Sequence, residues 1–249
     1  MKTLPPLLFN QTLFETVPSD VRSILEIGCS DGALGCALKQ RDDLATCRYV
    51  GMDTNEKKAA LARERLDAFY LQDAEEFDYH RLGETFDCML FADSLEHMKD
   101  PKALLKRLLP HLKLGGHLLV CIPNVRHFSI VDQLIRGHFE YTPEGLMDKT
   151  HYHFFTLKTA LKLFFSLGLQ VKEITPLIKD AAWIQRMGSP AQMHPDFIKR
   201  FEEALAKLEK QEPLAPCFEA WFPGMQLKES DAADMLSAQF VIHTQKQKA

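Results

Sequence analysis

The sequence predicts an α/β protein with a doubly wound, mostly parallel sheet. Short runs of aliphatic and β-branched residues recur along the chain, and segments with helical spacing of apolar residues separate them. The first run, Ile24 to Ile27, leads into a turn of small residues between Gly28 and Gly32 and then into a helical pattern from Ala33 to Lys39. This alternation of strand and helix is typical of parallel sheets with helices on both faces.

The next elements follow in the order that this fold requires. A second strand is predicted at Tyr49 to Asp53, a helix at Glu56 to Asp67, and a fourth strand with its following loop at Phe86 to His97. Asp100 then provides a capping side chain and Pro101 occupies the first helical position. The apolar face of the helix that they begin consists of Leu104, Leu105, Leu108, Leu109 and Leu112.

Glycines mark the ends of the later elements. We expect Gly115 and Gly116 to end the leucine-faced helix, and His117 to Ile122 to form a fifth strand that Pro123 and Asn124 stop. A helix follows Thr156 and closes at Gly168, and Leu169 to Thr175 is the predicted sixth strand.

Composition fits a cytoplasmic enzyme built around one large core. The chain has 249 residues, of which 46% are hydrophobic, and no apolar run approaches the ~20 residues that a membrane-spanning helix needs. A net charge of −4 argues against a broad nucleic-acid-binding face. The six cysteines show no paired metal-ligand spacing and are predicted to be reduced core thiols; they are Cys29, Cys36, Cys47, Cys88, Cys121 and Cys217.

The turn after the first strand predicts a nucleotide-like cofactor. Gly28 and Gly32 allow the backbone to approach a ligand, and the N–H groups of the following helix face the same pocket. A dinucleotide fingerprint would place further glycines where Ser30 and Ala33 stand, so the pattern fits a pyrophosphate poorly. Asp53, at the end of the second strand, is in the position that accepts hydrogen bonds from ribose hydroxyls.

The run Glu26-x-Gly28-x-Ser30-x-Gly32 resembles the first motif of the class I S-adenosylmethionine (SAM)-dependent methyltransferases, with Ser30 in place of the middle glycine. The resemblance implies SAM as the cofactor. It also implies the remaining parts of the cofactor site: Asp53 and Thr54 at the ribose, Asp73 and Ala74 at the adenine, and Ala92 and Asp93 beside the sulfonium. Asp73 is equally interpreted as a helix cap.

Later motifs narrow the resemblance to particular groups within this class of methyltransferases. Leu95-Glu96-His97, Asp100-Pro101 and Ile122-Pro123-Asn124 are similar to bacterial methyltransferases of the type 11, 12 and 23 groups. The segment from Pro123 to Thr156 is similar to members found with glycosyltransferases of surface-polysaccharide pathways, although His153 stands where those members often carry arginine.

The resemblance implies a Rossmann-like sheet of seven strands, six parallel and the last antiparallel, within a single domain over residues 1–249. Ser237 to Thr244 is the candidate for the seventh strand, which leaves insertions at about 124–155 and 177–234. The second insertion contains an aromatic, proline-rich stretch from Pro213 to Pro223 and a helix from near Pro195. This helix is expected to pack on the protein's own core, to cover the acceptor pocket as a lid, or to form a homodimer contact; its apolar stripe is Phe197, Ile198, Phe201, Leu205 and Leu208.

A hydroxyl acceptor would benefit from a general base, and histidine suits that role near neutral pH. We predict His151 as the base and Asp148 as the residue that orients its ring, while the alternative is that the two residues only fix their loop. His97 follows the fourth strand and either faces the cofactor or bonds the backbone; His127 and His153 are further candidates. Asp93, Glu96 and His97 also resemble a cation-binding cluster of ubiquinone-pathway O-methyltransferases, but Leu-Glu-His is common without metal, and none is expected.

The sequence therefore predicts a SAM-dependent methyltransferase that acts on a small or carbohydrate-linked acceptor, at oxygen. Two alternatives remain. A nicotinamide-dependent sugar oxidoreductase is disfavoured by the broken fingerprint and by the lack of a Tyr-x-x-x-Lys relay. A non-catalytic SAM-binding subunit could instead use the second insertion to dock on a partner enzyme. No nucleic-acid partner and no membrane insertion are expected.

Overall fold

The computed structural model describes residues 7–187, 196–224 and 226–247, and these form two compact units. The first unit comprises the described residues up to Ile122, Lys158–Thr175 and those from Val241 onward. The second unit comprises Pro123–Leu157 and the described part of Pro176–Phe240. The bounds of the second unit lie within a few residues of the predicted insertions, whose function as lid or oligomer contact stays a prediction.

Seven strands form one sheet in the order β3-β2-β1-β4-β5-β7-β6. The sheet is mixed, with six parallel strands and an antiparallel last strand, so the predicted fold class is confirmed. The central strands β1 and β4 are buried along almost their whole length, which explains why their sequences are mostly apolar. The strands are β1 Ser23–Ile27, β2 Arg48–Asp53, β3 Ala68–Leu71, β4 Phe86–Ala92, β5 Leu112–Pro123, β6 Leu169–Leu177 and β7 Gln239–Lys246.

The described residues contain ten α-helices, and short 3₁₀ turns lie at Tyr79–Leu82, Leu95–His97 and Leu109–His111. None of these helices is long and apolar enough to cross a membrane. The helices are α1 Gln11–Thr16, α2 Ala33–Leu38, α3 Ala59–Arg65, α4 Pro101–Leu108, α5 Phe128–Ile135, α6 Leu157–Phe165, α7 Ala181–Met187, α8 Phe197–Glu209, α9 Ala215–Trp221 and α10 Glu229–Leu236.

The start of α4 was predicted correctly and its end was not. Asp100 caps the helix by accepting the N–H of Ala103 at 2.9 Å, and Pro101 opens it. The helix ends at Leu108, however, because Pro110 lacks the N–H that a further turn would need. Leu112 already pairs with Phe86 as the first residue of β5.

Gly115 and Gly116 therefore lie inside a strand. The pairing of β4 with β5 shifts register between Phe86 and Cys88, and Gly115 has a positive φ of 78° at this irregularity. A Cβ on Gly116 would lie 2.9 Å from the carbonyl oxygen of Lys113, so glycine permits the close backbone approach. These glycines form a bulge rather than a helix end.

The second unit has an apolar core of its own. Phe128 of α5 stacks on Phe197 and Phe201 of α8, with ring centroids 4.4 and 5.1 Å apart. The predicted stripe of α8 thus packs in this core, while Pro195 lies outside the described residues. The Pro213–Pro223 stretch contains α9, whose Phe218 is fully buried in the same cluster.

All six cysteines are free thiols. Cys29, Cys47, Cys88 and Cys121 are buried as predicted. Cys36 and Cys217 are only half-buried, so the prediction of core positions was wrong for these two.

Candidate active site

The loop after β1 adopts an unusual backbone conformation that shapes the site. Gly28, Ser30 and Gly32 all have positive φ, at 79°, 54° and 75°. A Cβ on Gly28 would stand 2.5 Å from the Cβ of Ser94, which explains the requirement for glycine there. Ser30 is a strained exception, since non-glycine residues rarely adopt this region.

Two contacts hold Ser30 in this conformation. Its N–H donates to Oδ2 of Asp53 at 2.7 Å, and its hydroxyl oxygen accepts from Nζ of Lys58 at 2.7 Å. The other carboxylate oxygen of Asp53 accepts the N–H of Asn55 at 2.8 Å. Asp53 therefore organises the loop, and the remaining lone pairs of its oxygens leave capacity for the predicted ribose contact.

Glu26 is a buried carboxyl group at the base of this loop. It is only 2% exposed, and its Oε2 accepts the hydroxyl of Tyr49 at 2.8 Å. Burial raises the pKa of Glu26 to about 8; the Tyr49 hydrogen bond opposes this rise, and the charges of Asp53 and Asp31 add to it. The same burial and the adjacent Glu26 raise the pKa of Tyr49 well above its usual value.

Asp93 follows the last residue of β4 and also has a positive φ, of 52°. Its N–H donates to the carbonyl oxygen of Cys121 at 3.3 Å, and its Oδ1 accepts the thiol of Cys121 at 3.3 Å. Sγ of Cys121 in turn accepts from Nδ2 of Asn10 at 3.1 Å. Asn10 begins α1 by accepting the N–H of Leu13, so the N-terminal segment is linked to β5 and Asp93.

These residues surround a cavity of about 400 Å³ at the carboxyl ends of β1 and β4. Five of the predicted cofactor residues line it: Glu26, Gly28, Ser30, Ala92 and Asp93. The remaining lining residues were not named as cofactor residues from the sequence: Leu8, Phe9, Asn10, Cys29, Asp31, Ala33, Leu34 and Lys58. Ala33 and Leu34, at the start of α2, follow from the fold, but no local signal identified the N-terminal residues.

The other predicted cofactor residues lie outside the lining of this cavity. Asp53 accepts an N–H of the loop after β1, and Gly32 ends that loop with a positive φ. Thr54 follows Asp53 as an exposed residue. Asp73 caps a turn, because its Oδ1 accepts the N–H of Glu75 at 2.8 Å. The carbonyl oxygen of buried Ala74 accepts the hydroxyl of Tyr79 at 2.8 Å. Asp73 thus caps a turn and not a helix, since no helix begins at this point among the described residues, while its contact with an adenine stays a prediction.

The predicted catalytic pair lies in the second unit. Oδ1 of Asp148 accepts both the N–H and the hydroxyl of Thr150 at 2.7 Å, and its carbonyl oxygen accepts the N–H of His151 at 3.1 Å. Asp148 therefore shapes the turn that carries His151. The half-buried imidazole of His151 lies edge-on to Phe154, with ring centroids 5.8 Å apart. Its action as a base, and the orientation of its ring by Asp148, stay predictions.

The other histidines differ in their environment. The N–H of His97 donates to the carbonyl oxygen of Ser94 at 3.3 Å, and this backbone bond fixes a 3₁₀ turn in the first unit. His127 was a wrong candidate: it is fully buried and caps α5 by accepting from Ser129, and burial lowers its pKa to about 3. His153 is half-buried beside the ring of Phe155.

The sequence from residue 7 to residue 174 matches the family model described as a methyltransferase domain. The chain belongs to this methyltransferase family. Among curated relatives, the ubiquinone biosynthesis O-methyltransferase of Aliivibrio fischeri strain MJ11 is 26% identical over 182 residues, which covers 69% of this chain and 74% of the relative. The enzyme of the same name from Pseudomonas entomophila is 27% identical over 163 residues, with coverage of 63% and 68%.

Solved methyltransferase structures share the fold. The plantazolicin methyltransferase BpumL in complex with S-adenosylhomocysteine (SAH) superimposes with a TM-score of 0.54 at 19% identity, covering 96% of this chain and 79% of that one. The O-MT segment of StiE gives a TM-score of 0.53 at 17% identity, with coverage of 96% and 72%. Together with the family, these neighbours identify SAM as the cofactor.

The cavity of this methyltransferase fits SAM. Gly28 and Ser30 contribute to one wall, and the carboxylates of Asp31 and Asp93 suit a ligand with ammonium and sulfonium charges. The same carboxyl groups would repel a pyrophosphate, and Lys58 is the single basic residue that lines the cavity in the part of the chain that the structure describes. The charge of the lining therefore agrees with the broken dinucleotide fingerprint.

Proposed function

We propose that this methyltransferase transfers the methyl group of SAM to a hydroxyl oxygen of a small or carbohydrate-linked acceptor. The observation that carries the proposal is the acidic cavity at the carboxyl ends of β1 and β4, lined by Gly28 and Ser30 of the loop, which matches a cationic cofactor. Oxygen as the target is supported by the names of the curated relatives, which are O-methyltransferases. The similarity of the Pro123–Thr156 segment to polysaccharide-associated members supports a carbohydrate-linked acceptor.

Each part of the site has a proposed role in binding. The loop from Gly28 to Gly32 encloses the methionine part of SAM, with Glu26 beneath it, and Asp93 lies by the sulfonium. Asp53 accepts the ribose hydroxyls, and Asp73 with Ala74 meets the adenine. These roles follow the resemblance of the motifs, and they are supported by the cavity that Glu26, Gly28, Ser30 and Asp93 line together.

SAM supplies an activated methyl group, and the protein must align the acceptor oxygen behind it. Such alignment contributes up to about 7–11 kcal/mol in favourable cases. His151 removes the proton of the hydroxyl, an action that typically adds ~10²–10⁴-fold in rate. In the second unit, the exposed rings of Phe139 and Tyr141 contact each other and Phe154, and they offer apolar faces on which a sugar or planar acceptor can stack.

The alternatives differ in what supports them. The family and its cofactor argue against a nicotinamide-dependent oxidoreductase. The proposal of a non-catalytic SAM-binding subunit keeps the same cavity but gives His151 no chemical role. Product formation from an acceptor therefore separates it from the enzyme.

The first experiment is calorimetric titration of the purified protein with SAH, with NAD as the parallel ligand. Binding of SAH alone, at micromolar affinity, supports the cofactor site. An acceptor panel of nucleotide sugars, glycans and phenols, followed by mass detection of a methylated product, then tests the reaction. Methylation confined to nitrogen or carbon would contradict the oxygen target, and SAH binding without any product would favour the non-catalytic subunit.

A further inference from the structure

The side chain of Cys121 is fully buried in β5, yet it contacts two residues that line the cofactor cavity. The amide of Asn10 donates to its sulfur, and its thiol hydrogen is directed at the carboxylate of Asp93. A thiol carries one hydrogen and weak lone pairs, so the sulfur of Cys121 can accept from Asn10 and donate to Asp93 at the same time. The three side chains therefore form one directed chain, from α1 through the sheet to the cavity.

The backbone reinforces this arrangement. Ala92 pairs with Cys121 between β4 and β5, and the next residue, Asp93, donates its N–H to the carbonyl oxygen of Cys121. Asp93 is thus bonded to both the main chain and the side chain of one residue, and its positive φ is held in place. The thiol thus adds a side-chain contact to the backbone bond at Asp93 and restricts the rotamers of its exposed carboxylate.

A fixed carboxylate at this wall matters because the charge of the ligand changes in the reaction. SAM carries a sulfonium, and its product SAH carries a neutral thioether, since the electron pair of the broken carbon–sulfur bond stays on sulfur. The two ligands otherwise share their ammonium, carboxylate, ribose and adenine groups. A carboxylate near the sulfur favours the first over the second, whereas general loosening of the pocket weakens both.

We propose that Cys121 is a positioning residue for the cofactor: its thiol fixes the carboxylate of Asp93 so that the pocket prefers SAM over SAH. This inference rests on the cofactor roles proposed above for Asp93. The amide of Asn10 assists this positioning, because it donates to a lone pair of the sulfur and so leaves the thiol hydrogen directed at Asp93. The consequence for turnover is easier release of the product.

The test is the ratio of the dissociation constants of SAH and SAM, measured by calorimetry on the full chain. Cys121→Ala is expected to lower this ratio about three- to tenfold, as estimated for a charge pair at a partly solvated site. Cys121→Ser keeps a donor and an acceptor and is expected to retain the wild-type ratio. Cys88→Ala is the matched control, because Cys88 is an equally buried strand thiol that donates to the carbonyl oxygen of Met89, which does not line the cavity.

Asp93→Asn provides a second test that does not disturb the core, since Asp93 is exposed. It is expected to lower the ratio at least as much as Cys121→Ala. An unchanged ratio in Asp93→Asn would overturn the inference, and so would equal weakening of both ligands in Cys121→Ala. If the wild type bound neither ligand, the cofactor site itself would be refuted, which is a distinct result.

Discussion

Replacement of Glu26 by glutamine should make the protein more stable, by an amount that grows with pH. Glutamine keeps the shape of the side chain and still accepts the hydroxyl of Tyr49, but it carries no charge. The pKa of Glu26 is raised from 4.5 to about 8 by burial. The folded state therefore binds a proton more tightly than the unfolded chain, and stability falls as the pH rises from 4.5 to 8.

The magnitude follows from the shift. One pKa unit corresponds to about 1.4 kcal/mol, so the rise costs about 3 kcal/mol at pH 7 and about 5 kcal/mol at pH 9. Below pH 4.5 the carboxyl group is protonated in both states and the cost disappears. Glu26→Gln should thus be more stable than the wild type by about 3 kcal/mol at pH 7, while the two proteins converge near pH 4.

Denaturant unfolding at pH 4, 7 and 9, followed by circular dichroism, measures these differences. Glu64→Gln, at an exposed position on α3, is the control and should leave the pH dependence unchanged. Parallel stability curves for the wild type and Glu26→Gln would refute the reasoning. Weaker SAH binding by the more stable variant would show that the buried carboxyl group is retained for the cofactor at the expense of stability.

Three further predictions concern the site and its surroundings. Asp53→Ala should weaken SAH binding about 10–100-fold in calorimetry, since it removes charge-assisted hydrogen bonds worth ~1.5–3 kcal/mol, and unchanged affinity would remove Asp53 from the site. His151→Ala should lower turnover ~10²-fold or more and leave SAH affinity intact, whereas full activity would end its role as base. His127 has a pKa lowered to about 3, so the stability it contributes is lost as the pH falls below its unfolded value of 6.5. Between pH 7 and pH 5 the wild type should lose about 2 kcal/mol more than His127→Asn in urea unfolding, and an equal loss would contradict the burial argument.

The sheet could be predicted from sequence because buried parallel strands appear as nearly continuous apolar runs, as at Ile24–Ile27 and Phe86–Ala92, which Glu26 and Asp87 each interrupt once. The bulge at Gly115 and Gly116 could not, since glycine after a leucine-rich segment equally indicates a helix end. Pro110 was the local signal that should have ended the helix earlier.

Long-range contacts limited the prediction of the site. The motif identified Glu26, but its partner Tyr49 lies 23 residues away on the neighbouring strand. Asn10 and Cys121 are separated by 111 residues, and nothing local to either one indicates the other. Residues of this kind are brought together by sheet order, and a single sequence does not encode their pairing in any short pattern.

The division of the chain into units has a practical consequence for engineering. The polypeptide passes from one unit to the other four times, because Lys158–Thr175 returns to the first unit between the two segments of the second. No single truncation or cleavage can separate them, and neither unit is a contiguous fragment. Exchanging the second unit for that of a relative would therefore require the replacement of Pro123–Leu157 and Pro176–Phe240 together, with Lys158–Thr175 left in place.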